Sequence, residues 1–159
     1  MATAVLPSAL LANVRFQMKL WRPLLVGIGG SLASRKRALS EYLERSLDGP
    51  AIVHADDLWS TEVDRPAALE ALGAELLAPL AAGRAGHVST SSVRGASRRL
   101  IEPFGVLVVE GYGVLSAPLG ELFHLTVLVE EGSRAATKAS GEPSEATARY
   151  RIDASAPLP

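Results

Sequence analysis

Two kinds of apolar pattern alternate along the chain. Leu24–Ile28, Ala51–Val53, Gly105–Val109 and Leu125–Val129 are short runs that are apolar at almost every position. A run without polar alternation reads as a strand covered on both faces, as in a parallel sheet. The longer segments between these runs carry helical spacing. Residues 8–20 gather Leu10, Leu11, Val14, Met18 and Leu20 on one side, which predicts a packing helix ending at Trp21-Arg22-Pro23. Arg35–Leu47 sets Ala38, Leu39, Tyr42, Leu43 and Leu47 against Glu41, Glu44 and Arg45, and Asp48-Gly49-Pro50 closes it. Pro66–Ala82, rich in Ala and Leu, is a third helix that stops at Gly83.

Ser, Thr and Gly dominate from Gly86 to Ser97, predicting a loop with one short strand, followed by solvated Arg98 and Arg99. The chain from Glu131 is polar and proline-bearing apart from Tyr150-Arg151-Ile152, which reads as a last edge strand. Strands alternating with helices predict one α/β domain built on a parallel sheet of about four or five strands, with the four apolar runs at its centre. Residues 1–21 read as an N-terminal helical extension and 22–159 as the domain with its C-terminal tail.

A length of 159 residues suits one domain with a real core. With 16 basic against 17 acidic residues, no net field draws nucleic acid or a membrane surface, so neither is expected as a partner. The chain has no cysteine, which removes disulfides, thiolate metal sites and cysteine nucleophiles. Only His54, His87 and His124 remain as imidazole ligands, and no metal site is expected; His87 and His124 read as structural. The apolar N-terminus lacks a basic n-region and is broken by Pro7 and Arg15, so neither a signal peptide nor a spanning helix is expected. The expected setting is the cytoplasm and the expected partner a small-molecule substrate, with self-association left open.

Candidate chemistry lies where strands end. LLVGIGGSLASRKRAL, from Leu24 to Leu39, has the layout of strand, glycine turn and helix that cradles phosphate in G-x-x-x-x-G-K-[ST] loops. In that register Gly30 and Lys36 are in place, Arg35 stands at the second glycine and Arg37 at the hydroxyl that would hold Mg²⁺; Ser34, at a free position of the loop, is a further candidate phosphate contact. Arg35, Lys36 and Arg37 on a first helical turn can still attract an anion. His54-Ala55-Asp56-Asp57-Leu58-Trp59 follows the second strand and Glu110-Gly111-Tyr112-Gly113 the third. Strand carboxyl ends are where open α/β sheets bind ligands, so His54, Asp56, Asp57, Glu110 and Tyr112 are expected to converge there. Alternation at a strand end lets one of the adjacent aspartates face the cleft, and Asp57 is preferred. Trp59 is a candidate for stacking on a ligand.

These segments, RPLLVGIGGS, VHADDLW, LLAPLAAGRAG and VLVVEGYG in that order, resemble the uridine kinase branch of the P-loop nucleoside kinases across Arg22 to Glu130. The resemblance implies a P-loop kinase-like fold. It places the general base that serves a nucleoside hydroxyl on Asp56 or Asp57, an acidic residue near the metal on Glu110, and the loop lysine on Lys36. A family substrate segment is replaced by His87-Val88-Ser89-Thr90-Ser91-Ser92, and the lid stretch Glu131–Glu145 keeps only Arg134, a candidate substrate contact, and Lys138. The leading expectation is therefore a degenerate phosphate loop in a repurposed, biosynthetic small-molecule enzyme that does acid–base chemistry without ATP or any other cofactor. Its rivals are a divergent nucleoside kinase using ATP and Mg²⁺, and a non-catalytic ligand-binding or scaffold protein.

Overall fold

The computed structural model describes residues 3–92, 95–130, 150–153, 155 and 157–159. Its centre is a parallel sheet. The strands are β1 (Thr3–Ala4), β2 (Leu24–Gly29), β3 (Ala51–His54), β6 (Val106–Glu110), β7 (Leu125–Glu130) and β8 (Tyr150–Asp153), in the order β1-β8-β7-β2-β6-β3. Every pairing in this sheet is parallel. A separate antiparallel hairpin joins β4 (Gly86–Ser92) to β5 (Gly95–Ile101).

Period-two alternation sorts the strand side chains onto two covered faces. Leu24, Val26 and Ile28, Val106 and Val108, and Leu125, Val127 and Val129 pack in one cluster. Helix α1 (Pro7–Gln17) joins that cluster through Leu10, Leu11 and Val14, and helix α2 (Ala33–Ser46) through Leu39, Tyr42 and Leu43. Leu25, Leu107, Val109 and Leu128 face the other way, against Leu72, Leu76, Leu77 and Leu80 of the next helical stretch. That stretch comprises α3 (Arg65–Ala71), a π-helical segment (Leu72–Leu77) and α4 (Ala78–Ala81). Pro7 and Pro66 sit at the starts of their helices, where a missing N–H leaves no partner wanting.

Four expectations are corrected. Ala51–Val53 belongs to an edge strand, not a central one, since among the described residues β3 has only β6 beside it. The Arg99 guanidinium donates to Ile52 O at 3.0 Å, so this arginine shields the open edge and is more than solvated surface. The Ser/Thr/Gly stretch after Gly86 is a hairpin, with Val88 and Ile101 buried beneath it. Its period-two signal is short because few positions face the core. Tyr150–Asp153 is next to the edge, with Thr3–Ala4 outside it. The lid stretch and Arg134 lie outside the described residues.

Candidate active site

The carboxyl ends of β2, β6 and β3 stand level, because Ile28 and His54 are both register partners of Glu110. The chain reaches β3 at one edge, returns to β6 beside β2, and only then crosses to β7 on the other side. Such a reversal of strand order opens a crevice above the strand ends.

Alternation decides which side chains enter it. His54 lies two residues beyond Ile52, and Glu110 two beyond Val108, so both fall on the sheet face that α2 covers. There His54 Nδ1 is 2.7 Å from Glu110 Oε1. Glu110 is 2% exposed, and its second oxygen, Oε2, is buried with no hydrogen-bond partner among the described residues. Burial pushes the Glu110 carboxyl above its ordinary pKa; the hydrogen bond and charge of His54 oppose the rise, neighbouring Asp56 adds to it and Lys36 opposes it.

The residues after β3 form a single 3₁₀ turn, Ala55–Leu58, so the strand alternation that favoured Asp57 does not continue. Asp56 is the aspartate that faces this group. Its Oδ1 accepts the Tyr112 N–H at 2.9 Å and its Oδ2 lies 3.8 Å from Lys36 Nζ. Close approach of the two turns depends on Gly111, where an added Cβ would sit 2.8 Å from Ala55 Cβ and 3.1 Å from Asp56 Oδ1. Asp57 turns outward to Arg37 at 3.2 Å, with both side chains largely exposed. Trp59 is half-buried and packs against the apolar cluster under the α3 side of the sheet.

Lys36 is buried on α2, and its ammonium is 5.9 Å from the centroid of the Tyr112 ring. Arg65 lies over the same ring with its guanidinium carbon 4.4 Å from the centroid, while also pairing with Glu62 at 2.6 Å. Arg65 is not among the residues that the sequence pattern marks as candidates. Its place beside Pro66, at the start of the helix that follows the acidic segment, was the signal available.

The turn before α2 is compact. Gly30 has φ +128°, and a Cβ there would lie 2.2 Å from Val129 O, so only glycine lets the chain pass against β7. Helix α2 then starts at Ala33, and the backbone N–H groups of Arg35 and Lys36 both donate to Leu32 O, at 3.1 and 3.0 Å. Those two donors are satisfied within the helix. Ser34, Arg35 and Arg37 are exposed on its first turns.

No protein-family model matches the chain, and no curated protein matches it. A solved structure does: "Structure of a Possible Uridine Kinase from Bacillus stearothermophilus", at TM-score 0.54 and 17% identity, over 78% of this chain and 83% of that one. The fold is P-loop kinase-like. At this identity the likeness is one of architecture, a single α/β domain whose parallel sheet is flanked by helices. Position 37 offers a guanidinium in place of a hydroxyl, Lys36 stands beside Asp56, and no group of three or more His, Cys, Asp or Glu among the described residues could hold a metal. No helix among them is long and apolar enough to cross a membrane.

Proposed function

We propose that this protein is an ATP-independent enzyme that performs acid–base chemistry on a small molecule in the crevice above β2, β3 and β6. The observation that carries this reading is the 2.7 Å contact between His54 Nδ1 and the buried Glu110. A carboxyl on one imidazole nitrogen fixes the ring's orientation, leaving Nε2 to take a proton from a substrate and return it. His54 is 27% exposed, which gives a substrate access to the ring. Lys36 and Asp56 supply a cation and an anion beside it, and Tyr112 and Arg65 form a further polar wall.

Against nucleotide use stands the first turn of α2. The segment Gly30–Arg37 reads as a degenerate phosphate loop, with Arg35 at its second glycine and Arg37 at its hydroxyl. The phosphotransferase reading keeps the sequence resemblance and the fold in its favour, but Arg37 stands where that loop has the hydroxyl that would hold Mg²⁺.

The test is incubation of the purified protein with a bacterial metabolite extract, with and without Mg·ATP, followed by mass spectrometry. Compounds consumed without ATP by the unmodified protein and spared by His54→Gln support the reading. Consumption that requires ATP makes the protein a kinase. No consumption under either condition favours the binding or scaffold alternative.

A further inference from the structure

A cavity of about 680 Å³ opens between the helical stretch Arg65–Ala81 and residues 113–122, and none of the cluster residues Lys36, His54, Asp56, Glu110 or Tyr112 lines it. Its size falls within the roughly 300–1,000 Å³ of small-molecule sites. Small residues create it. Gly73, Ala74 and Ala78 form the helical wall, and a Cβ at Gly73 would already come within 3.2 Å of Leu119 Cδ1. Gly73 and Ala74 belong to the π-helical segment Leu72–Leu77, a geometry that recurs at functional sites.

The lining is apolar, with Leu69, Leu119 and Leu122 facing the space. Among the described residues its charged members are Glu70 and Glu121, both solvent-accessible, and no Lys, Arg or His lines it. An apolar floor with a purely acidic edge discriminates by charge as well as by shape, since a carboxylate-bearing ligand would meet like charges there.

We infer that this cavity is a binding site for a small apolar amine, whose hydrocarbon body lies against the three leucines and whose ammonium faces Glu70 and Glu121. The inference stands apart from the His54 chemistry. Its test reads binding alone and needs no turnover.

Amide chemical shifts of the full chain are followed at neutral pH during titration with 2-phenylethylamine, 2-phenylethanol and 3-phenylpropionate. The amine is expected to move the amides of Gly73, Ala74 and Gly113 and to bind most tightly, the alcohol more weakly and the carboxylate least. Replacing both carboxylates, Glu70→Gln with Glu121→Gln, should weaken the amine about fivefold, to the level of the alcohol, as solvent-accessible ion pairs allow. Ala74→Trp should remove the shifts, and Ala78→Phe, in the same wall one turn on, serves if the first variant fails to fold. Binding of 3-phenylpropionate as tight as that of the amine, an absence of shifts at these amides, or shifts that survive both cavity-filling variants would overturn the assignment.

Discussion

The ammonium of Lys36 lies 3.8 Å from Asp56 Oδ2, and the two groups are unequally covered: the lysine side chain is 1% exposed and the aspartate 32%. Loss of either partner therefore has a different consequence. Asp56→Asn leaves a buried cation without its nearest anion and should destabilise the protein by about 2 kcal/mol, less than for a fully buried pair because water reaches Asp56. Lys36→Met leaves an aspartate that still accepts the Tyr112 N–H and sees solvent, and should change stability by less than about 1 kcal/mol. Urea unfolding of both variants measures the difference, and a larger loss for Lys36→Met would refute this account of the pair.

The adjacent aspartate provides the control. Asp57 and Arg37 face water, so Asp57→Asn should shift stability by no more than about 0.5 kcal/mol, visible as a nearly unchanged melting curve. A loss comparable with that of Asp56→Asn would mean that Asp57 has a structural role beyond this exposed pair.

Glu110 gives a pH dependence with a definite sign. Its carboxyl is held above its ordinary pKa by burial, so folding favours the protonated form relative to the unfolded chain. The stability it contributes is fully present below the unfolded-state pKa and is lost as pH rises through the higher folded-state value. Glu110→Gln mimics the protonated carboxyl at every pH. The stability of the unmodified protein relative to this variant should thus fall as pH is raised from the acid side through the folded-state pKa, then level off. Denaturant titrations of both proteins at a series of pH values report this, and a difference that grows in the opposite direction would be inconsistent with a desolvated carboxyl.

Calorimetric titration with Mg·ATP should give no saturable heat at micromolar concentrations. Arg35→Gly with Arg37→Thr restores the glycine and hydroxyl of the phosphate-loop pattern, at a cost in helix propensity of about 1 kcal/mol for the glycine. Nucleotide binding should improve in this double variant. Tight binding by the unmodified protein would return the assignment to the kinase alternative.

The apolar runs made the sheet legible because each strand buries both faces, which leaves a local composition signal. Strand order leaves no such signal. The edge position of Ala51–His54 follows from pairing with β6 alone, a contact between segments remote in sequence. The hairpin Gly86–Ile101 was hidden for a related reason: it covers a helix with a few residues, Val88 and Ile101 among them, so most of its positions stay polar. At the site, sequence placed His54, Asp56, Glu110 and Tyr112 at strand ends. It did not reveal that the chain coils into a 3₁₀ turn after His54, which is what brings Asp56 inward and sends Asp57 out. The pairing of His54 with Glu110 is likewise a matter of register between two strands.

The outer sheet edge also bears on how the chain folds. Asn13 Nδ2 donates to Tyr150 OH at 2.7 Å across 137 residues, beside the pairing of Thr3–Ala4 with Tyr150–Arg151. Among the described strands, β1 is the first made and has no partner until β8, the last made, emerges. Closing so long a loop in an unstructured chain carries a large entropic penalty, which falls once the intervening strands are already docked. The outer edge is thus the part of the sheet whose assembly waits on all the rest.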